Sequence, residues 1–192
     1  MPDAPKTDTP KGDPDPLDRL WKETYALYYD AHYYEIESEL IVQRWQRIDD
    51  VVRVVVAVTA SSSAVAGWSL WSDPAGKTVW ACIAGLSALV AIVHAALGVP
   101  ARLKEWGEIH RLFLVLRNDI QTLRQQMRIQ SGGSAKALQA AFDAARTRFT
   151  DGESKIKSDL LRTGRLRKAA QSLLEERIKR ALDNKKRSEN EI

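Results

Sequence analysis

The stretch SLWSDPAGKTVWA, residues Ser69–Ala81, sets Asp-Pro-Ala-Gly-Lys between two segments almost free of charge. It is either the turn of a helical hairpin buried in a soluble core or the exposed tip of one that crosses a membrane. On its N-terminal side Val54–Ser72 gives 19 residues without Asp, Glu, Lys or Arg. On its C-terminal side Thr78–Ala101 gives 24, whose only ionisable side chains are Cys82 and His94. A bilayer core of roughly 30 Å needs about 20 apolar residues at 1.5 Å rise each, so both runs are long enough to span it. The mean hydropathy of -0.34 and the 28% of charged residues conceal this partition. A chain of 192 residues has little else with which to cover two all-apolar helices, which favours the membrane reading. Trp68, Trp71 and Trp80 lie at the ends of the runs nearest the turn, where indoles settle at headgroup level.

Basic residues near the span ends give the orientation. The turn offers only Lys77; the other side offers Arg44, Arg47 and Arg53 before the first span and Arg102, Lys104, Arg111 and Arg117 after the second. The positive-inside tendency therefore places both termini in the cytoplasm, with Arg53, Arg102 and Lys104 as interface anchors beside the tryptophans. The first apolar run begins after residue 50, and nothing at the N-terminus has the layout of a cleaved signal. Cys82 is a lone cysteine inside a span, so neither a disulfide framework nor a thiolate metal site is expected.

Residues 1–16 hold five of the seven prolines and are expected to be a disordered leader. Residues 17–50 contain no Pro or Gly, and Leu17, Leu20, Tyr25, Tyr29, Ile36 and Leu40 recur near helical spacing. This predicts one long amphipathic helix that runs into the hairpin of residues 51–100, with spans over about 52–72 and 78–99. All five tyrosines fall in YALYYDAHYY, residues 25–34. Tyr29 precedes Arg53 by about 36 Å of helix, too far for an interfacial belt, so these rings are expected to pack on cytoplasmic helices.

Residues 101–188 form the second helical region. Trp106, Ile109, Phe113, Leu116, Ile120, Leu123 and Met127 mark a helix ended by Ser131–Ser134. Leu138, Phe142, Ala145 and Phe149 mark another, up to Asp151-Gly152, and Leu160–Leu182 a last one. From Arg102 to Ile192 there are 21 basic and 12 acidic residues, whereas Leu17–Arg53 carries five basic and eight acidic. The two halves attract, which favours a cytoplasmic bundle. The fold class expected is thus an all-α membrane protein: a two-transmembrane helical hairpin with long amphipathic cytoplasmic helices forming a bundle.

Small residues repeat along both spans. Ala57, Ala60, Ala64 and Gly67 step by three, four and three, as do Ala81, Ala84, Ala88 and Ala91. A hairpin turning about Pro74 sets each member of one row opposite a member of the other, since the paired numbers add to 148. That register predicts a close-packed seam with a left-handed crossing. Beside it lie Ser61, Ser62 and Ser63 on the first span and Ser87 and His94 on one face of the second, with His94 level with Val55. Two readings stand. The serines bond their own preceding carbonyls and His94 pairs near the cytoplasmic surface, or these groups form a polar path once several hairpins assemble. A single two-span chain encloses no pore, so the second reading requires oligomers.

Enzymatic signatures are missing: no phosphate-binding glycine loop, no His or Cys cluster at ligand spacing, no nucleophile elbow. No catalytic residue, metal or other cofactor is expected. His32 and His110 lie on amphipathic helices, where surface or core roles are the weightier reading. The basic runs at Arg165–Lys168 and Lys185–Arg187 read as solvated helix faces ahead of lipid or nucleic-acid contacts.

The helix rich in Tyr and His, the closely spaced apolar helices with Trp near the turn, and the Trp-initiated helix RLKEWGEIHRLFLVLRNDIQTLRQQ resemble the SLATT family, two-transmembrane effector proteins of bacterial conflict systems. The resemblance covers about residues 17–185 and rests on architecture and residue types. It implies an immunity-type effector of the bacterial inner membrane, in which oligomers of the hairpin permeabilise the bilayer. It also implies a partner protein that produces or senses a nucleotide signal; nucleic acid is not expected as a partner, on the reading of the basic runs as solvated faces. The alternative is a membrane-anchored helical scaffold without conductance.

Overall fold

The computed structural model describes residues 15–70, 74–129, 135–156 and 159–190; the side chains of residues 60–70, 74, 185 and 188–190 are outside the description. Five helices make up the described residues: α1 Pro16–Leu70, α2 Pro74–Leu97, α3 Val99–Ile129, α4 Ala135–Lys155 and α5 Gly164–Asn190. The expected leader thus lies almost wholly outside the described residues.

α1 begins where Asp15 caps it. The Asp15 carboxylate accepts from the Leu17 amide at 3.1 Å, Pro16 takes the first helical position, where no amide is needed, and Asp18 faces the positive end of the helix dipole. With no Pro or Gly before Gly67, the helix runs 55 residues, about 80 Å. It passes through residues 50 and 51 without a break, as the sequence predicts.

α2 and α3 return antiparallel to α1. Pro100 has no amide to continue α2, and Gly98, with φ of 60°, supplies the left-handed residue at the junction. α3 buries Trp106, Ile109, Phe113, Leu116, Ile120 and Leu123, a three–four alternation that pairs helices at a shallow angle. It meets Leu20, Leu27, Ala31, Ile41 and Trp45 of α1, and α4 adds Leu138, Phe142 and Ala145 to the same core. Tyr34 pairs with Phe113, ring centroids 5.2 Å apart, and Ser38 with His110. These numbers add to 147 and 148, close to the sum that the Pro74 turn implies, whereas Asp49 and His94, nearer the turn, add to 143. α5 docks on α1 through a smaller cluster of Ile36, Ala170 and Leu174.

Among the described residues one helical run, Ala75–Ile129, is long and apolar enough to cross a membrane. Its most apolar 18-residue window has a mean hydropathy of 2.2 and is 6% buried. α2 exposes Val79, Leu86, Leu89 and Ile92 by more than half.

Two expected boundaries are corrected. α4 does not stop at Asp151-Gly152 but continues to Lys155, because Gly152 serves packing and not termination. A Cβ there would stand 2.7 Å from Leu112 Cδ2 and 3.1 Å from Phe113 Cζ. α5 does not start at Leu160 but at Gly164, where the Thr163 hydroxyl caps it by accepting from the Leu166 amide at 3.3 Å. Replacing Gly152 with Val is therefore expected to cost about 1–3 kcal/mol by overpacking. Gly98→Ala, open in space but strained in φ, is expected to cost about 1 kcal/mol. Thermal unfolding of the purified variants measures both.

Candidate functional site

Polar chemistry concentrates along α1, where Thr24, His32, Glu35, Glu37, Ser38 and Asp49 are buried. Buried charges need partners, and the other helices supply most of them. Arg162 grips Glu37 in a two-pronged pair, Nε on Oε1 at 2.9 Å and Nη2 on Oε2 at 3.2 Å, which holds the guanidinium still more firmly protonated. Arg117 Nη1 lies 2.9 Å from Glu35 Oε2, close in distance but off the hydrogen-bond direction. Burial pushes the Glu35 carboxyl above its usual range against the pull of Arg117. Arg177 pairs with Glu39 at 3.1 Å. In the connection between α4 and α5, Asp159 accepts from two indoles, Trp106 at 2.8 Å and Trp45 at 3.3 Å, and from the Leu161 amide at 2.8 Å.

The tyrosines are bound into the helical body. Tyr34 contacts Phe113 and Phe149 and donates to Glu153 at 3.0 Å; burial and that carboxylate push its hydroxyl up to about 12. Tyr29 donates to the Tyr25 hydroxyl at 2.9 Å and is also raised to about 12, first by burial. The Arg124 guanidinium lies 4.3 Å from the Tyr25 ring centre and 4.6 Å from that of Tyr28, a cation held by ring faces.

At the far end of this strip Asp49 joins the helices. Its carboxylate receives Arg53 Nη2 at 2.8 Å from its own helix and stands 3.0 Å from His94 Nε2 of α2. His94 is thus paired with Asp49, earlier on α1 than the expected level of Val55. The pairing also fixes the rotation of α2. Half-buried positions are Trp80, Ser87, Val90 and His94 on α2 and Val52, Val55 and Thr59 on α1. Of the expected alanine seam, the described members Ala57, Ala81, Ala84, Ala88 and Ala91 are exposed. Pointing His94 at Asp49 turns the alanine row about 100° away from α1.

The remaining expected residues fall out as follows. The Ser87 hydroxyl donates to the Ile83 carbonyl of its own helix at 2.8 Å. Arg53 is exposed apart from its Asp49 pair, Arg102 lies 3.6 Å from Glu105, and Lys104 is exposed. The side chains of Ala60, Ser61, Ser62, Ser63, Ala64, Gly67 and Trp68, and Trp71 altogether, lie outside the described residues.

Among the described residues no group of three or more His, Cys, Asp or Glu is placed to hold a metal. Ser38 and His110 do not make a nucleophile and base: both turn to the Glu35 carbonyl, the serine at 2.9 Å and His110 Nδ1 at 3.2 Å. The arrangement is an ion-paired spine. Sequence reasoning missed Glu35, Glu37, Asp49 and Asp159 in it. The Asp49–Arg53 spacing of four was a visible signal, whereas Asp159 depends on the path of the chain between helices.

His32 stands apart. It is 7% exposed, and neither ring nitrogen has a partner. Burial, then Arg117 and Arg177, lower its pKa from 6.5 to about 4. The unfolded chain takes up this proton below about 6.5 and the folded chain only below about 4. Unfolding therefore binds a proton between those values, and stability falls with falling pH by up to about 3 kcal/mol. His32→Leu is expected to raise the melting temperature at neutral pH, since no hydrogen bond is lost. The gap between variant and native protein should widen from pH 6.5 to 4 in a melting series; a constant gap would contradict a buried neutral ring.

No family model, curated protein or solved structure matches the chain.

Proposed function

We propose that the chain is a multi-pass protein of a bacterial inner membrane, spanning over about 52–72 and 78–99 with both termini in the cytoplasm. On this reading it is an effector of a conflict or immunity system whose copies associate and permeabilise the bilayer. The observation that carries the membrane placement is the apolar window within Ala75–Ile129, of which 6% is buried. Water does not tolerate so long an apolar face, and lipid requires it. The excess of Arg and Lys away from the turn supports the orientation. Association is supported by the alanine row Ala81, Ala84, Ala88 and Ala91, which is exposed on α2 and offers a close-packing surface to a second copy. The effector role draws on the SLATT resemblance. The bundle and its ion-paired spine then hold the cytoplasmic half, with no catalytic role for any residue.

A membrane-anchored scaffold is the second reading, favoured by one observation. Ser87 and His94, two members of the expected polar path, have their partners within the chain, at the Ile83 carbonyl and Asp49. Membrane potential in bacteria induced to express the chain, read with a voltage-sensitive dye, separates the two. The native chain is expected to depolarise the cells, and an Ala84→Leu, Ala88→Leu variant at matched membrane level to leave them polarised. Cells that keep their potential while loaded with native chain would overturn permeabilisation in favour of the scaffold.

A further inference from the structure

α5 lies across α1. Arg162, just before α5, meets Glu37, and Arg177 meets Glu39. From Gly164 to Arg177 the helix advances about 20 Å while α1 advances about 3 Å, so the two cross steeply. α5 buries Ala170 and Leu174 with Ile36 and then leaves the helical body. From Lys179 to Arg187 every described side chain is exposed, Leu182 by more than half. This arm is strongly basic: Arg177–Arg187 holds six Lys or Arg and one Asp. Lys179, Leu182 and Lys186, spaced three and four, share one face. Asp183 is turned about 100° from Leu182.

Where α5 crosses, it completes a furrow of opposite charge. One part, of about 680 Å³, lies between α1, α4 and α5. It continues between α1 and α4 towards Glu23 as a second part of about 520 Å³, the two sharing Asp30, Phe149 and Glu153. Four acids line it, Glu23, Asp30, Glu153 and Glu175, against the one base Arg146. Among the described residues neither Glu23 nor Asp30 has a hydrogen bond or salt bridge. Burial, then the charge of Glu153, raise the Asp30 carboxyl above its usual range, so like charges gather here without relief. The rings of Tyr29, Tyr33 and Phe149 line the same furrow, an apolar surface suited to a leucine and to the stems of lysines.

We propose that the basic end of α5 from one copy docks in the acidic, ring-lined furrow of a second copy, Leu182 against the rings and Lys179 and Lys186 towards the carboxylates. Charge complementarity selects this occupant. The arm does not serve its own furrow: unbroken helix carries Lys186 about 12 Å past Ile178, the last α5 residue of the lining. The two surfaces also stand at nearly one level. The arm leaves α1 near Glu39, and the furrow begins at Tyr34, about 7 Å further along α1. That is comparable to the length of a lysine side chain, so neighbours rooted in one bilayer meet at matched depth. Donor and receiving surfaces differ, so the contact is head-to-tail and either closes into a ring or runs on as a chain. The proposal deepens the association of copies and rests on that reading for their shared level, while using a surface separate from the alanine row.

The test co-expresses full-length copies with two different tags in a Cys82→Ser background, Ala26→Cys in the furrow of one and Ala181→Cys in the arm of the other. A short bismaleimide added to isolated, nuclease-treated membranes is expected to give a product that carries both tags. Glu23→Lys with Asp30→Lys on the furrow copy, or Lys179→Glu with Lys186→Glu on the arm copy, is expected to cut its yield at least fivefold. Combining the two reversed copies is expected to restore it, which misfolded variants would not do. Product undiminished by either reversal, or no restoration on combining them, would overturn the docking. Product formed only without nuclease would replace direct contact with a nucleic-acid bridge. Copies that also carry Ala84→Leu and Ala88→Leu are expected to keep the product, so loss of the span contact and loss of this one read separately. Chain recovered in the soluble fraction would overturn the membrane placement, and with it the shared level on which this docking rests.

Discussion

The continuity of α1 is the constraint on which the rest depends. With no Pro or Gly before Gly67, one rod carries the tyrosine cluster, the buried acids Glu35 and Glu37, the Asp49 junction and the start of the first apolar run. Each other helix packs against it, α3 most extensively and α5 through few apolar side chains. Such a rod serves several partners at once, so it is apolar or buried on more than one side. This is why its sequence reads as only loosely amphipathic while α3 shows a clean stripe.

The buried acids of α1 then have a physical account. Leu, Ile and Phe along α1 and α3 supply attraction without much direction. The pairs Glu35–Arg117 and Glu37–Arg162 supply direction, since a slipped register would leave a buried charge unpaired. Of the two, Glu35–Arg117 fixes how α1 and α3 stand against each other well away from the turn, and Glu37–Arg162 ties the chain before α5 to the same rod.

What the sequence revealed and what it hid divide along similar lines. The helices, the single long rod and the core stripe Trp106–Leu123 were legible because each follows from a period of 3.6 residues and from where Pro and Gly stand. The α4 end was misread because Gly152 looks like a terminator and acts as a clearance for Phe113. The alanine row was legible as a pattern, but its direction was not: rotation of α2 follows from Asp49, a single carboxylate outside the apolar run. His32 was legible only as one more histidine on a helix, because its lack of partners depends on side chains from two other helices.

Gly98 gives the two antiparallel halves unlike mechanics. Opposite the stiff α1, the returning strand of chain carries one left-handed residue, at the boundary between the exposed apolar α2 and the packed α3. α2 is thus a lever of 24 residues, about 36 Å, hinged at its base and tethered there by His94. A bend of about 10° at that joint sweeps its far end through roughly 6 Å, while α3 keeps its seat on α1. Displacement in the apolar half therefore falls to one arm, and Asp49 sits at its fulcrum.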